Sequence, residues 1–431
     1  MQALTYASQG IQGTLTIPGD KSISHRALMI GALAEGQTEI ENFLAGQDCL
    51  STLRAFQDLG VEIERQENRV KIQGCGLQGL KAPDHPLDMG NSGTTTRLMM
   101  GLLSGTNFAT TLSGDEFLQK RPMRRVSQPL AEFGVKIETT PTGTLPLTVY
   151  GGPVKAAKVE LTVASAQVKS ALLLAALSAP GTSVIKELLP TRNHTEIMLR
   201  QFGAQLETAA DGLTITVKGQ PQLKGQKVIV PGDMSSAAFF MVAATIIPHS
   251  EITLTNVNLN PTRTGILSIL LQMGADITVH ETIQEGERRG DLTVRSAKLH
   301  GIEIGAPAIP AVIDELPLVA LAAACAQGVT EIRGAQELRV KETDRITTMV
   351  TLLRQLGVTV QEHPDGMTIT GRDAWQVVDP NFDSFGDHRL GMVAAIAALK
   401  SSIPMNLKNE DAIAISYPTF FQDLDHLCQK G

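Results

Sequence analysis

The stretch Ile17-Pro18-Gly19-Asp20-Lys21-Ser22-Ile23-Ser24-His25-Arg26 places an ammonium, two hydroxyls and a guanidinium where a strand end turns through Pro-Gly into a helix start. With Ser22 or Ser24 as N-cap, backbone N–H groups and the positive helix end face whatever lies in front of them. Lys21 adds a point charge and Arg26, one turn on, a fork of donors, so the corner is competent to hold an anion. A solvated capped helix would read the same way.

Other polar clusters stand at similar places. Asn91-Ser92-Gly93-Thr94-Thr95-Thr96-Arg97 is a hydroxyl-rich helix start whose glycine lets a phosphate approach backbone N–H groups, although simple capping would use the same residues. Segment 115–125 is basic, with Lys120, Arg121, Arg124 and Arg125 around Pro122, and reads either as a surface loop or as an anion clamp. Ser165-Ala166-Gln167-Val168-Lys169 brings a hydroxyl, an amide and an ammonium to a helix start, and Thr191-Arg192-Asn193-His194-Thr195-Glu196 opens the next helix. The run Arg339-Val340-Lys341-Glu342-Thr343-Asp344-Arg345 is what a solvated helix start usually looks like. Asp314 and Asp387-His388-Arg389 are harder to explain so, because both lead into almost wholly apolar helices.

These clusters are carried by a repeat. Apolar helices begin near Ser22, Ser92, Ser165, Ser235, Asp314 and Asp387, at successive intervals of 70, 73, 70, 79 and 73 residues. Such helices, apolar all round as in 170–179 and 314–326, must be buried. A second, amphipathic helix recurs in register and closes on Gly60, Gly134, Gly203, Gly274 and Gly357, placed as left-handed C′ residues. A hairpin follows each, clearest at 358–370 around the turn His363-Pro364-Asp365-Gly366; the charged run 285–291 reads as a lengthened, solvated version. The sixth copy ends early, at 417–427.

Pro-Gly-Asp returns at Pro231-Gly232-Asp233 without the charges, 213 residues after Pro18, as an internal duplication would leave it. The fold expected is therefore α/β (α+β): two halves of three units, each unit strand, buried helix, strand, amphipathic helix, hairpin, with sheets covering the central helices. Residues 1–19 go with 233–431, and 20–232 make the other domain, with crossovers near Pro18–Asp20 and Pro231–Asp233.

Composition narrows the classes. The chain has 431 residues, 42% of them hydrophobic, and a net charge of −7, which argues against a nucleic-acid binder and requires any anionic ligand to be held by a local basic cluster. Cys49, Cys75, Cys325 and Cys428 are widely separated, which fits a reducing cytoplasm, and the nine histidines have no metal spacing. No signal peptide is readable and no apolar run reaches the roughly 18 residues that span a bilayer. Neither a P-loop, a strand-linked G-x-G-x-x-G nor a nucleophile elbow is present.

The pieces G-D-K-S-I-S-H-R, N-S-G-T-T-T-R, Q-K-R-P-M, S-A-Q-V-K-S-A, R-N-H-T-E, D-E-L-P, K-E-T-D-R-I and G-D-H-R, in this order along the chain, resemble the enolpyruvyl transferase family, and within it the branch acting on shikimate 3-phosphate. The resemblance implies an inside-out α/β barrel of six βαβαββ units, three per domain, and a monomer with small-molecule substrates, no cofactor or metal, and no nucleic-acid or membrane partner. It implies a shikimate-pathway transferase, a glyphosate target, that joins phosphoenolpyruvate to shikimate 3-phosphate and releases phosphate. Carried onto matching positions, shikimate 3-phosphate falls to Lys21, Ser22, Arg26, Ser165, Ala166, Gln167, Arg192, Asp314 and Lys341. Phosphoenolpyruvate falls to Lys21, Gly93, Arg121, Gln167, Arg345 and Arg389. The resemblance makes Asp314, as a helix cap among cations, the base, Lys341 or Glu342 the acid, Lys21 a catalytic cation and His388 an assisting donor. The halves are expected to close on the substrates. Two departures stand out: Ala414-Ile415-Ser416 precedes Tyr417-Pro418 where many relatives carry a Lys, and His194 stands where some have Tyr.

Two alternatives remain at this stage. The sister enzyme that uses UDP-N-acetylglucosamine has Lys-Asn in place of Lys21-Ser22 and a loop Cys ahead of Arg-Pro, whereas 115–122 contains none. A non-catalytic repeat scaffold would spread its charges over outer faces instead of gathering them at helix starts.

Overall fold

A computed structural model describes residues 2–4, 9–282 and 286–429; the start of the charged run 285–291 lies outside them. The chain divides into two compact units, Gly19–Val230 and Met1–Pro18 with Pro231–Gly431. Gly19 thus falls with the first unit, and Pro231 and Gly232 with the second, one or two residues from the expected crossovers. Backbone bonds give the reason: Gly232 N donates to Asn256 O and Asp233 N to Pro18 O, while a Cβ on Gly19 would meet the Asn42 carbonyl oxygen at 1.9 Å.

Within the 19–230 unit there are three four-stranded sheets. The first runs in the order Lys227–Ile229, Glu35–Glu41, Arg69–Cys75, Glu62–Gln66. Its first pair is parallel and the other two are antiparallel. A parallel pair needs a crossover and an antiparallel pair only a turn; here the parallel partner Lys227–Ile229 is the last strand of the unit, so the end of the unit completes the sheet that Glu35–Glu41 begins. The sheets through Ala109–Ser113 and Thr182–Lys186 repeat the pattern. In the other unit Gln12–Thr16 pairs in parallel with Glu251–Asn258, and three sheets again form, of four, four and three strands among the described residues. The three-stranded one belongs to the shortened sixth copy, whose chain ends in the helix Phe420–Cys428.

Six helices are the buried ones expected: Lys21–Leu33, Gly93–Leu102, Ala166–Ala176, Met234–Ile246, Leu316–Ala323 and His388–Lys400. Met234–Ile246 has no exposed residue. Each unit has its own aliphatic core around its helices. In the first unit small residues allow a very close crossing: a Cβ on Gly101 would lie 1.9 Å from the Ala171 carbonyl oxygen. Gly60, Gly134, Gly203, Gly274 and Gly357 all have positive φ, between 77° and 101°, where a Cβ is strained.

Two local expectations change and one holds. The first helix is capped not by Ser22 or Ser24 but by Asp20, whose carboxylate accepts from Ile23 N at 3.0 Å; Ser24 Oγ instead accepts from Leu44 N. A carboxylate is an equally good cap, and the Ser24 side chain is already buried. The fifth helix begins at Leu316 behind Glu315, so Asp314 is no cap; Pro317 suits a first turn that needs no N–H. The 358–370 hairpin does turn through His363-Pro364-Asp365-Gly366, with Gly366 paired to His363 and a Cβ there set to strike the Ile332 carbonyl oxygen.

Candidate active site

In the 19–230 unit, the helix starts gather as a set. Lys21 Nζ lies 3.1 Å from Asp48 Oδ2 on the helix Gln47–Asp58. Arg26 is buried, and its guanidinium donates to Ser22 O (2.9 Å), Thr195 Oγ1 (2.6 Å) and Ser170 Oγ (2.8 Å). Ser165 caps its helix through Val168 N, and Ala166 and Gln167 follow half-buried. Gln167 is fixed by two bonds, from Arg97 Nη1 (2.6 Å) and to Thr94 Oγ1 (3.0 Å). Arg192 is half-buried just ahead of the helix His194–Gln201, and His194 is wholly buried in that helix's first turn.

Gly93 sits between guanidiniums. A Cβ there would stand 3.2 Å from Arg121 Nη1 and 3.3 Å from Arg97 Nη1, and Arg121 Nη2 donates to Asn91 Oδ1 at 2.6 Å. The basic segment divides accordingly: Lys120, at the end of a short 3-10 turn, and Arg124, at the start of the helix Arg124–Leu130, are exposed, while Arg121 turns toward the helix start. From sequence, Asn91 and Arg97 read only as the ends of a helix start and not as site residues, and Asp48 is not singled out. Their signal was their place in, or one helix away from, an already suspect start.

A buried chain of hydroxyls stands behind these groups. His25 Nδ1 meets Thr52 Oγ1 at 2.7 Å, Thr52 meets Thr95 Oγ1 at 2.7 Å, and Thr95 donates to the capping Ser92 Oγ at 2.6 Å. Burial pushes the His25 imidazole down to about 3, and the Lys21 and Arg26 charges add to this while Asp48 opposes it. The unfolded chain therefore takes up a proton at His25 near pH 6.5 that the folded chain refuses until about pH 3. Stability is lost as pH falls through that window, by up to about 1.4 kcal/mol per unit. His25→Gln is expected to flatten this slope between pH 6 and 4 in urea titrations, and an unchanged slope would reject the assignment.

In the other unit Asp314 is the centre. Its carboxylate lies 3.7 Å from Lys341 Nζ, 3.7 Å from Arg345 Nη1 and 3.8 Å from Arg389 Nη2, and Arg389 Nη1 also reaches the Asp314 carbonyl at 3.2 Å. Arg345 is 2% exposed, against the solvated reading of its charge run, because Asp387 (2.7 Å) and Glu342 (2.6 Å) hold it inside. Burial alone would lower the Arg345 pKa; the Asp387, Glu342 and Asp314 carboxylates outweigh it and the net direction is up. Asp387 caps the helix His388–Lys400 through Arg389 N and Leu390 N, which places His388 buried at the first helical residue and Arg389 toward Asp314. Arg339, by contrast, is spent on Asp344 and Glu362. Asp314 is the one carboxylate shared by all three cations; Glu342 and Asp387 also hold Arg345, and Glu315 lies 3.8 Å from Arg389, so the cluster offers donors for an acidic ligand with a base beside them.

Comparison with known proteins gives the family. The family model described as EPSP synthase (3-phosphoshikimate 1-carboxyvinyltransferase) matches residues 5–424. The 3-phosphoshikimate 1-carboxyvinyltransferase of Limosilactobacillus fermentum (strain NBRC 3956 / LMG 18251) is 56% identical over 426 residues, covering 99% of both chains. That of Lactiplantibacillus plantarum (strain ATCC BAA-793 / NCIMB 8826 / WCFS1) is 56% identical and covers 98% of both. Among solved structures, EPSP synthase from Acinetobacter baumannii superposes with a TM-score of 0.88 at 43% identity, covering 99% of this chain and 97% of that one. The enolpyruvyl transferase NikO from Streptomyces tendae, 18% identical with a TM-score of 0.80, shares the mixed α/β fold. With a family model matched along nearly its whole length and relatives more than half identical end to end, this chain belongs to the EPSP synthase family.

Proposed function

We propose that the chain transfers the enolpyruvyl group of phosphoenolpyruvate to the 5-hydroxyl of shikimate 3-phosphate, in the shikimate pathway to chorismate and aromatic amino acids. The observation that carries the reading is the Asp314 carboxylate within 3.7–3.8 Å of Lys341, Arg345 and Arg389. Full-length identity to enzymes of that name favours it over the UDP-N-acetylglucosamine alternative. In this reading the three-sheet, three-helix units form an inside-out barrel of six βαβαββ repeats. The protein works as a monomer in the cytoplasm, a reducing compartment in which widely spaced cysteines stay thiols.

Shikimate 3-phosphate lies against Lys21, Ser22, Arg26, Ser165, Ala166, Gln167 and Arg192, with Asp314 and Lys341 at its hydroxyl. Phosphoenolpyruvate lies against Lys21, Gly93, Arg121, Gln167, Arg345 and Arg389. Asp314 takes the proton from the 5-hydroxyl as its oxygen bonds to C2, and the methylene carbon gains a proton to become methyl. Elimination then removes one methyl proton, breaks the C2–O bond to phosphate and restores the vinyl group. The carbon-bound proton comes from Lys341 or Glu342, the first 3.7 Å from Asp314 and the second engaged by Arg345 at 2.6 Å. His388 supports the site as a donor from the helix start.

The decisive assay is phosphate release from phosphoenolpyruvate with shikimate 3-phosphate and, separately, with UDP-N-acetylglucosamine. Turnover with the second alone would overturn the reading. Gly93→Ala is expected to push the Arg121 and Arg97 guanidiniums from their 3.2–3.3 Å approach. It should raise the phosphoenolpyruvate KM and weaken glyphosate competition, each by about tenfold for a loss of about 1.4 kcal/mol. Equal inhibition of both forms would remove Gly93 from that site.

A further inference from the structure

Apart from the residues assigned above, Lys169, Glu187 and Glu196 form a buried ionic cluster, with side chains only 1–3% exposed. Lys169 Nζ lies 2.9 Å from Glu187 Oε2 and 2.7 Å from Glu196 Oε1, and donates to the Thr191 carbonyl at 3.4 Å; the Thr191 hydroxyl donates to the other Glu187 oxygen. Two carboxylates and one ammonium in a protein interior are a poor way to gain stability, since apolar side chains of the same volume usually do as well or better. Glu196 Oε2 has no hydrogen-bond partner among the described residues, and burial pushes the Glu187 carboxyl up even with Lys169 beside it. The cluster therefore asks for a reason other than stability.

Its neighbours along the chain supply one. Lys169 precedes Ser170, Glu196 follows Thr195 and Thr191 precedes Arg192. The Ser170 and Thr195 hydroxyls are 2.7 Å apart, and both accept from the Arg26 guanidinium. One ammonium thus ties together the helix Ala166–Ala176, the residue after the strand Thr182–Lys186, the loop carrying Arg192 and the helix His194–Gln201. We propose that the Lys169–Glu187–Glu196 cluster is a positioning device that fixes Arg26 and Arg192 for the phosphorylated cyclic acceptor, and so sets affinity for that substrate without entering the chemistry. This rests on the reading that Arg26 and Arg192 bind shikimate 3-phosphate.

The test compares the parent enzyme with Lys169→Met and with the charge-free triple variant Lys169→Met, Glu187→Gln, Glu196→Gln, which strands no carboxylate if the single variant folds poorly. The expected result for the triple variant is a shikimate 3-phosphate KM raised about tenfold or more, with kcat and the phosphoenolpyruvate KM within about threefold. Lys169→Arg should recover part of the loss. An unchanged acceptor KM, or equal losses in all three constants as general loosening would give, overturns the proposal. A parent enzyme that does not turn over shikimate 3-phosphate at all rejects the underlying reading instead, and the inference falls with it.

Discussion

Asp314→Asn is expected to lower kcat by roughly 10²–10⁴-fold, the range for removing a positioned general base. The amide keeps the shape of the carboxylate but cannot take the 5-hydroxyl proton. It also withdraws the one negative group that Lys341, Arg345 and Arg389 share at 3.7–3.8 Å, so the local field becomes more positive. The KM values for both anionic substrates should therefore stay level or fall while kcat collapses. Steady-state phosphate release measures both. A kcat within about threefold of the parent would take the base away from Asp314.

Arg345→Met should be the most destabilising of the single changes, on the order of 3–5 kcal/mol, because it strands buried charge. Arg345 Nε donates to Asp387 at 2.7 Å, and Asp387 is fully buried and caps the helix His388–Lys400. Without the guanidinium that carboxylate must stay ionised and unpaired or take up a proton and weaken the cap. Urea unfolding midpoints should show the loss, and adding Asp387→Asn should restore part of it. Additive losses in the double variant would mean that the pair is not coupled.

The architecture was readable because each of its demands leaves a mark along the chain. Helices that must be buried on every side read as Ala- and Leu-rich runs at intervals of 70–79 residues, and Gly60 and its four counterparts mark left-handed helix ends. Residue types at the site were readable for a similar reason: Lys21, Arg121, Asp314 and Arg389 are charges that a repeat built from apolar and turn residues does not need. Partners were not. Lys21 meets Asp48 across 27 residues, and nothing local marks that acid; Arg345 meets Asp387 across 42, an acid marked as a helix start but not as that partner. The same blindness made Arg345 look solvated and left Lys169 with Glu187 and Glu196 unseen, since a charge run has one spelling whether its partners are water or carboxylates three strands away. Asp314 kept its surroundings of cations but lost its cap, because Glu315 and Pro317 start that helix one residue later.

The contact at Gly101 carries a consequence for how this enzyme could change. With a Cβ there lying 1.9 Å from the Ala171 carbonyl oxygen, the helices Gly93–Leu102 and Ala166–Ala176 touch main chain to main chain, as two rulers clamped at one point. The gap between their leading ends is then a matter of backbone geometry, beyond the reach of changed side chains elsewhere in the core. Drift in substrate preference has to come from the tips, where Arg97, Gln167 and Thr94 already lace one ruler to the other.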